Sequence, residues 1–290
     1  MNQQLSRRDV LRRSASAAAG LALAGLLPSA VARAADAAVP AAAGKKIPIA
    51  LELYSLRNEL KTDFENVVRQ VGKMGYEGVE FAGYYGWDSK PKELRKLLDD
   101  SGLKCCGTHT ALVTLTGDAL MKTIELHKTL GNNFLICPAM SVKDAAGWAE
   151  MGKRFAGIAA KAKEHGMFVG YHAHAGDFKK FDGKTTWEIF FDNAGKDVIH
   201  QIDVGNTLSG GGDPLAMIKK YPGQTKSTHV KEHGAGPEAA IGEGKMDWKP
   251  LIEAYQTVGG TEWYIVEHET SKTPLTTVKR CLDNLRKMTA

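Results

Sequence analysis

The sequence is poor in cysteine, with four in 290 residues (Cys105, Cys106, Cys137 and Cys281) and no Cys-x-x-Cys pair. That spacing excludes a zinc ribbon and a thioredoxin-type redox site. The four thiols read as small buried apolar groups in a fold that does not depend on disulfides. No glycine-rich phosphate loop follows the first strand-like segment, where Leu53-Tyr54-Ser55-Leu56-Arg57 stands instead. A nucleotide-binding doubly wound sheet is therefore unsupported. After residue 34 no apolar run is long enough to span a bilayer. Charge of one sign is lacking too. The formal net charge is +5, and residues 1–34 carry +4 of it through Arg7, Arg8, Arg12, Arg13 and Arg33 against Asp9. The folded part is thus nearly neutral, whereas a nucleic-acid surface needs a basic face. With 43% hydrophobic and 24% charged residues the composition is ordinary for a globular chain, which excludes disordered, collagenous and fibrous classes.

The N-terminus carries an address. Ser6-Arg7-Arg8-Asp9-Val10-Leu11 precedes an alanine-rich apolar run and an Ala32-Arg33-Ala34 cleavage site. This order specifies a secretory signal, and the twin arginine resembles the Tat type, with Val10 where phenylalanine is commonest. The expected organisation is a signal peptide over 1–34, a flexible linker over 35–46 and one domain over 47–290. The expected location is periplasmic or secreted, with the Tat machinery as export partner and no stable membrane span in the mature chain.

From Ile47 onward a short apolar segment recurs about every 30 residues. The strand candidates are Ile47–Tyr54, Tyr76–Phe81, Leu103–Thr110, Asn133–Cys137, Met167–His174, Val198–Val204, Lys226–Lys231 and Trp263–Glu267. Helical periodicity separates them, over 63–73, 91–100, 118–130, 142–165, 185–193, 214–221, 248–258 and 274–288. Asp63 is a good N-cap, Pro91 suits a first turn, and glycines such as Gly75 and Gly131 are stop signals. Eight such units predict an α/β fold, a single-domain (β/α)8 TIM barrel.

In such a barrel the C-terminal strand ends build the site. Here they carry Glu52 and Tyr54, Glu80, His109, His172 and His174, Asp203, His229 and Lys231, and Glu267. Strand alternation puts His172 with His174, and His229 with Lys231, on one face. Carboxylates crowded at one height would repel one another without a cation. Imidazoles and carboxylates together suit a divalent metal such as Mn²⁺, Co²⁺, Fe²⁺, Zn²⁺ or Mg²⁺. Four of the remaining histidines have structural places: His127 and His165 on helices, His200 at the start of its strand and so the wrong end of the barrel, His268 facing away from Glu267; His233 is undecided.

The segments Leu51-Glu52-Leu53-Tyr54-Ser55-Leu56-Arg57, Gly75-Tyr76-Glu77-Gly78-Val79-Glu80, Tyr171-His172-Ala173-His174, Ile202-Asp203-Val204-Gly205, His229-Val230-Lys231, Gly242-Glu243-Gly244-Lys245-Met246-Asp247-Trp248 and Tyr264-Ile265-Val266-Glu267 resemble the xylose isomerase-like TIM barrels. The likeness is to the sugar phosphate isomerase/epimerase family in particular. It runs in order along the mature chain. It implies a metal held by His172, Asp203, His229 and Glu267, and proton abstraction beside the carbonyl of a small sugar or keto-sugar through an enediolate. It further implies Glu267 or His172 as base, Lys231 as a positive charge near the oxyanion, and Glu52, Glu80, His109 and His174 as substrate-binding groups. Tyr54 and Trp248 would offer apolar faces to a sugar ring. The chain departs from the sugar epimerases at strand five, where they place a glutamate and it has His172. A lyase acting on an inosose or 3-keto-glycoside is the alternative on the same scaffold. A non-catalytic sugar-binding barrel is a third class, opposed by the intact ligand positions. An apurinic-site endonuclease is disfavoured by the near-neutral charge.

Overall fold

The computed structural model describes residues 46–290. The expected signal peptide, and all of the expected linker except Lys46, lie outside the described residues. The eight expected strands all form: β1 (Ile49–Glu52), β2 (Gly78–Phe81), β3 (Lys104–His109), β4 (Phe134–Cys137), β5 (Phe168–His172), β6 (Val198–Gln201), β7 (Ser227–Val230) and β8 (Trp263–Val266). They pair in parallel in the order β6-β5-β4-β3-β2-β1-β8-β7. The end strands β6 and β7 meet through one bridge, Asp203 with His229, just past β6. There the His229 N–H donates to the Ile202 carbonyl at 2.9 Å. The result is a nearly closed (β/α)8 barrel in one domain.

Local chemistry sets the elements. Asp63 caps Phe64–Met74 by accepting from the Asn66 N–H, and Phe64, Val67, Val68 and Val71 form its buried stripe. Gly75 ends that helix at φ 101°, a conformation open to glycine at no steric cost. Pro91 opens Pro91–Asp100 at its first turn. The long helix expected from residue 142 to 165 is shorter, Ala145–Lys163, because Asp144 caps it at the Gly147 N–H. The helix expected over 248–258 is Lys249–Ala254 followed by a π-helical turn, Tyr255–Gly259. Three features have no counterpart in the strand-and-helix periodicity: the short helices Arg57–Thr62 and Val204–Ser209, and a hairpin pairing Lys180–Phe181 with Lys184–Thr185. The hairpin turns on Asp182-Gly183, both at positive φ, a short-range signal that the longer period hides. All four cysteines are buried and unpaired.

Register places the site. Glu52 lies opposite Glu80, and His172 opposite Gln201. An irregularity after Val79 sets Glu80 opposite Gly107. A Cβ at Gly107 would collide with the Glu80 carboxylate, so a glycine there makes room for a buried acid.

Candidate metal and catalytic site

The site divides into three levels by contact and exposure, from a buried acid–amide group through the candidate metal donors to an open mouth. The lowest holds Glu52, Glu80 and Gln201, all fully buried. Glu80 accepts from Gln201 Nε2 at 3.0 and 3.2 Å and from His229 Nε2 at 2.6 Å. Burial pushes the Glu80 carboxyl up, but His109, His229 and Gln201 outweigh it and hold Glu80 below the usual range. Burial and the facing Glu80 push Glu52 well above that range, so it keeps its proton. Glu52 and Glu80 are thus fully buried, with Glu80 packed against the imidazoles of His229 and His109.

The middle level holds the four ligands that the resemblance implies. His172, Asp203, His229 and Glu267 offer donor atoms that all lie within 4.8 Å of one another. His229 Nδ1 is 3.1 Å from Glu267 Oε2 and 3.9 Å from Asp203 Oδ2. Asp203 caps the helix Val204–Ser209 with one oxygen, accepting from the Asn206 N–H at 2.7 Å. Its other oxygen, Oδ2, is buried with no hydrogen-bond partner. An unpartnered carboxylate oxygen facing imidazoles and a second carboxylate fits a divalent cation, and the N/O donor set suits Mn²⁺, Co²⁺, Fe²⁺ or Zn²⁺.

The titrations diverge across this level. Burial raises Asp203 to about 8, against the pull of Lys231. Burial also raises Glu267, but the His229 hydrogen bond and the charges of His229 and Lys231 win and hold it well below the usual value. Burial would neutralise His229, yet Glu267 and Glu80 on its two nitrogens raise it well above the usual value. Burial, then His229 and His109, keep His172 neutral.

The mouth holds Lys231, Glu269, His174 and Tyr54. Lys231 Nζ lies 2.7 Å from Glu269 Oε1, 3.5 Å from Glu267 Oε2 and 3.9 Å from Asp203 Oδ2. Burial lowers its pKa, but these three carboxylates raise it further, so it stays an ammonium. Gly205 packs against its stem, where a Cβ would sit 2.9 Å from Lys231 Cγ. His174 is exposed, with its ring 4.8 Å from that of His172. Tyr54 is 42% exposed under the Arg57 guanidinium. A cavity of about 340 Å³ opens beside Lys231, walled by Glu232, Ala239, His268 and Glu269. Trp248 is not brought to the cluster. It is buried and donates through Nε1 to Oε2 of Glu232, a residue of the cavity wall, at 3.3 Å.

His109 joins the site from β3, with Nε2 at 2.9 Å from Gln201 Oε1 and 3.5 Å from Glu80. Four of the other histidines have structural partners: His127 bonds Tyr84 and Asn132, His200 bonds Trp187, His233 bonds Ser209, and His268 bonds the Ala239 carbonyl. Sequence reasoning missed three residues of the site: Gln201, Asn206 and Glu269. Gln201 is two positions before Asp203 and so shares its face, which is the signal that could have found it.

A (β/α)8 barrel with a His/carboxylate cluster at the C-terminal strand ends defines the class. The chain belongs to the xylose isomerase-like TIM barrel family, whose model matches residues 68–288. It is similar to inosose dehydratase from Lacticaseibacillus casei, 26% identical over 250 residues, covering 71% of this chain and 82% of that one. It is also similar to the rhizopine catabolism protein MocC from Rhizobium meliloti, 22% identical over 272 residues, with coverage of 79% and 82%. Among solved structures it resembles a sugar phosphate isomerase/epimerase from Parabacteroides distasonis at a TM-score of 0.73. That match has 23% identity and covers 86% of this chain and 97% of that one.

Proposed function

We propose that the protein is a metal-dependent isomerase or epimerase of a sugar or keto-sugar, working by proton abstraction next to a carbonyl through an enediolate. The observation that carries it is the convergence of His172, Asp203, His229 and Glu267 within 4.8 Å. These four residues would hold a divalent cation, which when bound supplies positive charge to the carbonyl and a neighbouring hydroxyl of the substrate. Glu267, ionised at neutral pH, accepts the α-proton. Lys231 keeps an ammonium beside Glu267, where negative charge develops. His174 and Tyr54 at the mouth, and the cavity beside Lys231, would receive the rest of the sugar.

Elimination of a β-substituent from the same enediolate is the competing outcome. The similarity to inosose dehydratase supports it, as does an imidazole at strand five, since His172 leaves Glu267 without a second glutamate as its acid/base partner. Incubating the metal-loaded protein in D2O with keto-sugars, inososes and 3-keto-glycosides separates the two. Deuterium incorporation with the carbon skeleton intact identifies isomerisation or epimerisation, and release of water or aglycone identifies a lyase. Neither event with any of the three substrate types would mean that the barrel binds sugars without turning them over. We also propose export through the twin-arginine signal. Replacing Arg7 and Arg8 by lysine should leave the precursor in the cytoplasm, and undiminished export would overturn the assignment.

A further inference from the structure

Gln201 uses the full bonding capacity of its carboxamide inside the barrel. Nε2 donates to Glu80 at 3.0 Å and to Ser227 Oγ at 3.0 Å. Oε1 sits 2.9 Å from His109 Nε2 and 3.0 Å from His172 Nδ1. A carboxylate only accepts hydrogen bonds, so the amide nitrogen must face Glu80 and the amide oxygen must face the imidazoles. An amide oxygen also only accepts, so the proton on each ring lies on the facing nitrogen, Nε2 of His109 and Nδ1 of His172. His172 is left with Nε2 as its lone-pair nitrogen.

We infer that Gln201 is the positioning residue that sets the His172 tautomer, turning a bare Nε2 toward Asp203, His229 and Glu267. The inference rests on the metal-dependent reading above. His229 offers an internal parallel. Its Nε2 is 2.6 Å from Glu80, while its Nδ1 faces Glu267 and Asp203. Glu80 thereby orients His229 directly and His172 at one remove, through Gln201. One buried acid fixes both imidazole donors, in the manner of carboxylate–histidine pairs behind metal ligands. Register supports the same role, because Gln201 is the β6 partner of His172 and shares a face with Asp203.

The test is histidine side-chain ¹⁵N NMR on the metal-free protein, with Co²⁺ affinity measured by chelator competition. The wild type should show His172 protonated at Nδ1, and a proton on Nε2 overturns the inference. Gln201→Met should lose the single tautomer and bind Co²⁺ about 10–100-fold more weakly. Unchanged tautomer and affinity in that variant also overturn it. The wild-type spectrum decides the role by itself, so the inference remains testable if the methionine variant does not fold. Failure of the wild type to bind Co²⁺ would sink the metal reading, while the tautomer spectrum would still decide the role of Gln201.

Discussion

Asp203 and Glu267 are carboxylates from different strand ends around one imidazole, yet the fold drives their titrations apart. Asp203 faces His229 at 3.9 Å and is raised to about 8, while Glu267 faces it at 3.1 Å and is held well below the usual carboxylate value. Environments that separate two acids in this way assign them different work. Glu267→Gln keeps an oxygen donor but removes the basic one. At saturating metal it should lose proton exchange in D2O by roughly 100-fold or more. Asp203→Asn should bind metal more weakly and recover part of its rate when metal is in excess. Full recovery of Glu267→Gln by excess metal would leave Glu267 a ligand only and pass the base role to His172 or His174. The charged strand ends were legible because acids and imidazoles are conspicuous at that height. Gln201 was not, since a neutral amide on a strand looks like any half-buried polar residue until its partners are known. Glu52 and Glu80 read as substrate-binding groups from their face alone, and alternation does not give depth: both are fully buried.

Strands and helices were legible because each apolar run is short and helices open at cues such as the Asp63 cap and Pro91 in the first turn. What the period could not show lies between them: the helix Val204–Ser209 that Asp203 caps, and the Asp182-Gly183 hairpin leading into Thr186–Ala194. That last helix packs on β6 through a buried pair, with Trp187 Nε1 donating to His200 Nε2 at 2.6 Å. His200 Nε2 must therefore stay bare, and burial holds His200 at about 3. The sign follows from linkage. A histidine depressed in the fold stabilises fully above its unfolded value near 6.5, and that stability drains as pH falls toward 3. At pH 5 the loss should be about 2 kcal/mol from this residue. His200→Gln, which can still accept from Trp187, should show a shallower fall in urea-unfolding stability between pH 7 and pH 5. An equally steep fall in the variant would assign acid lability to other groups.

For the whole molecule, one domain with a barrel mouth rich in site residues was legible from length and period alone. The position of the seam was not, because nothing in local sequence marks β6 and β7 as the neighbours that meet at a single bridge. Seven neighbouring pairs of strands share ladders, while β6 and β7 touch at the single bridge of Asp203 with His229. Those two residues are also proposed metal ligands, contributed from opposite sides of the thinnest joint in the wall. A cation shared by them would act as a clasp on the hoop, adding cross-linking where backbone pairing is sparsest. Ligand binding to the native state stabilises it by mass action, and here the gain should concentrate at one place along the circumference. Hydrogen exchange with and without Co²⁺ should slow most at Val198–Gln201 and Ser227–Val230 and least at Gly78–Phe81 and Lys104–His109 on the far wall. Uniform slowing around the barrel would mean that the joint is already as tight as the rest. A localised effect would make metal loading a mechanical event as well as a chemical one, with the unloaded barrel opening first along the line where its two ends meet.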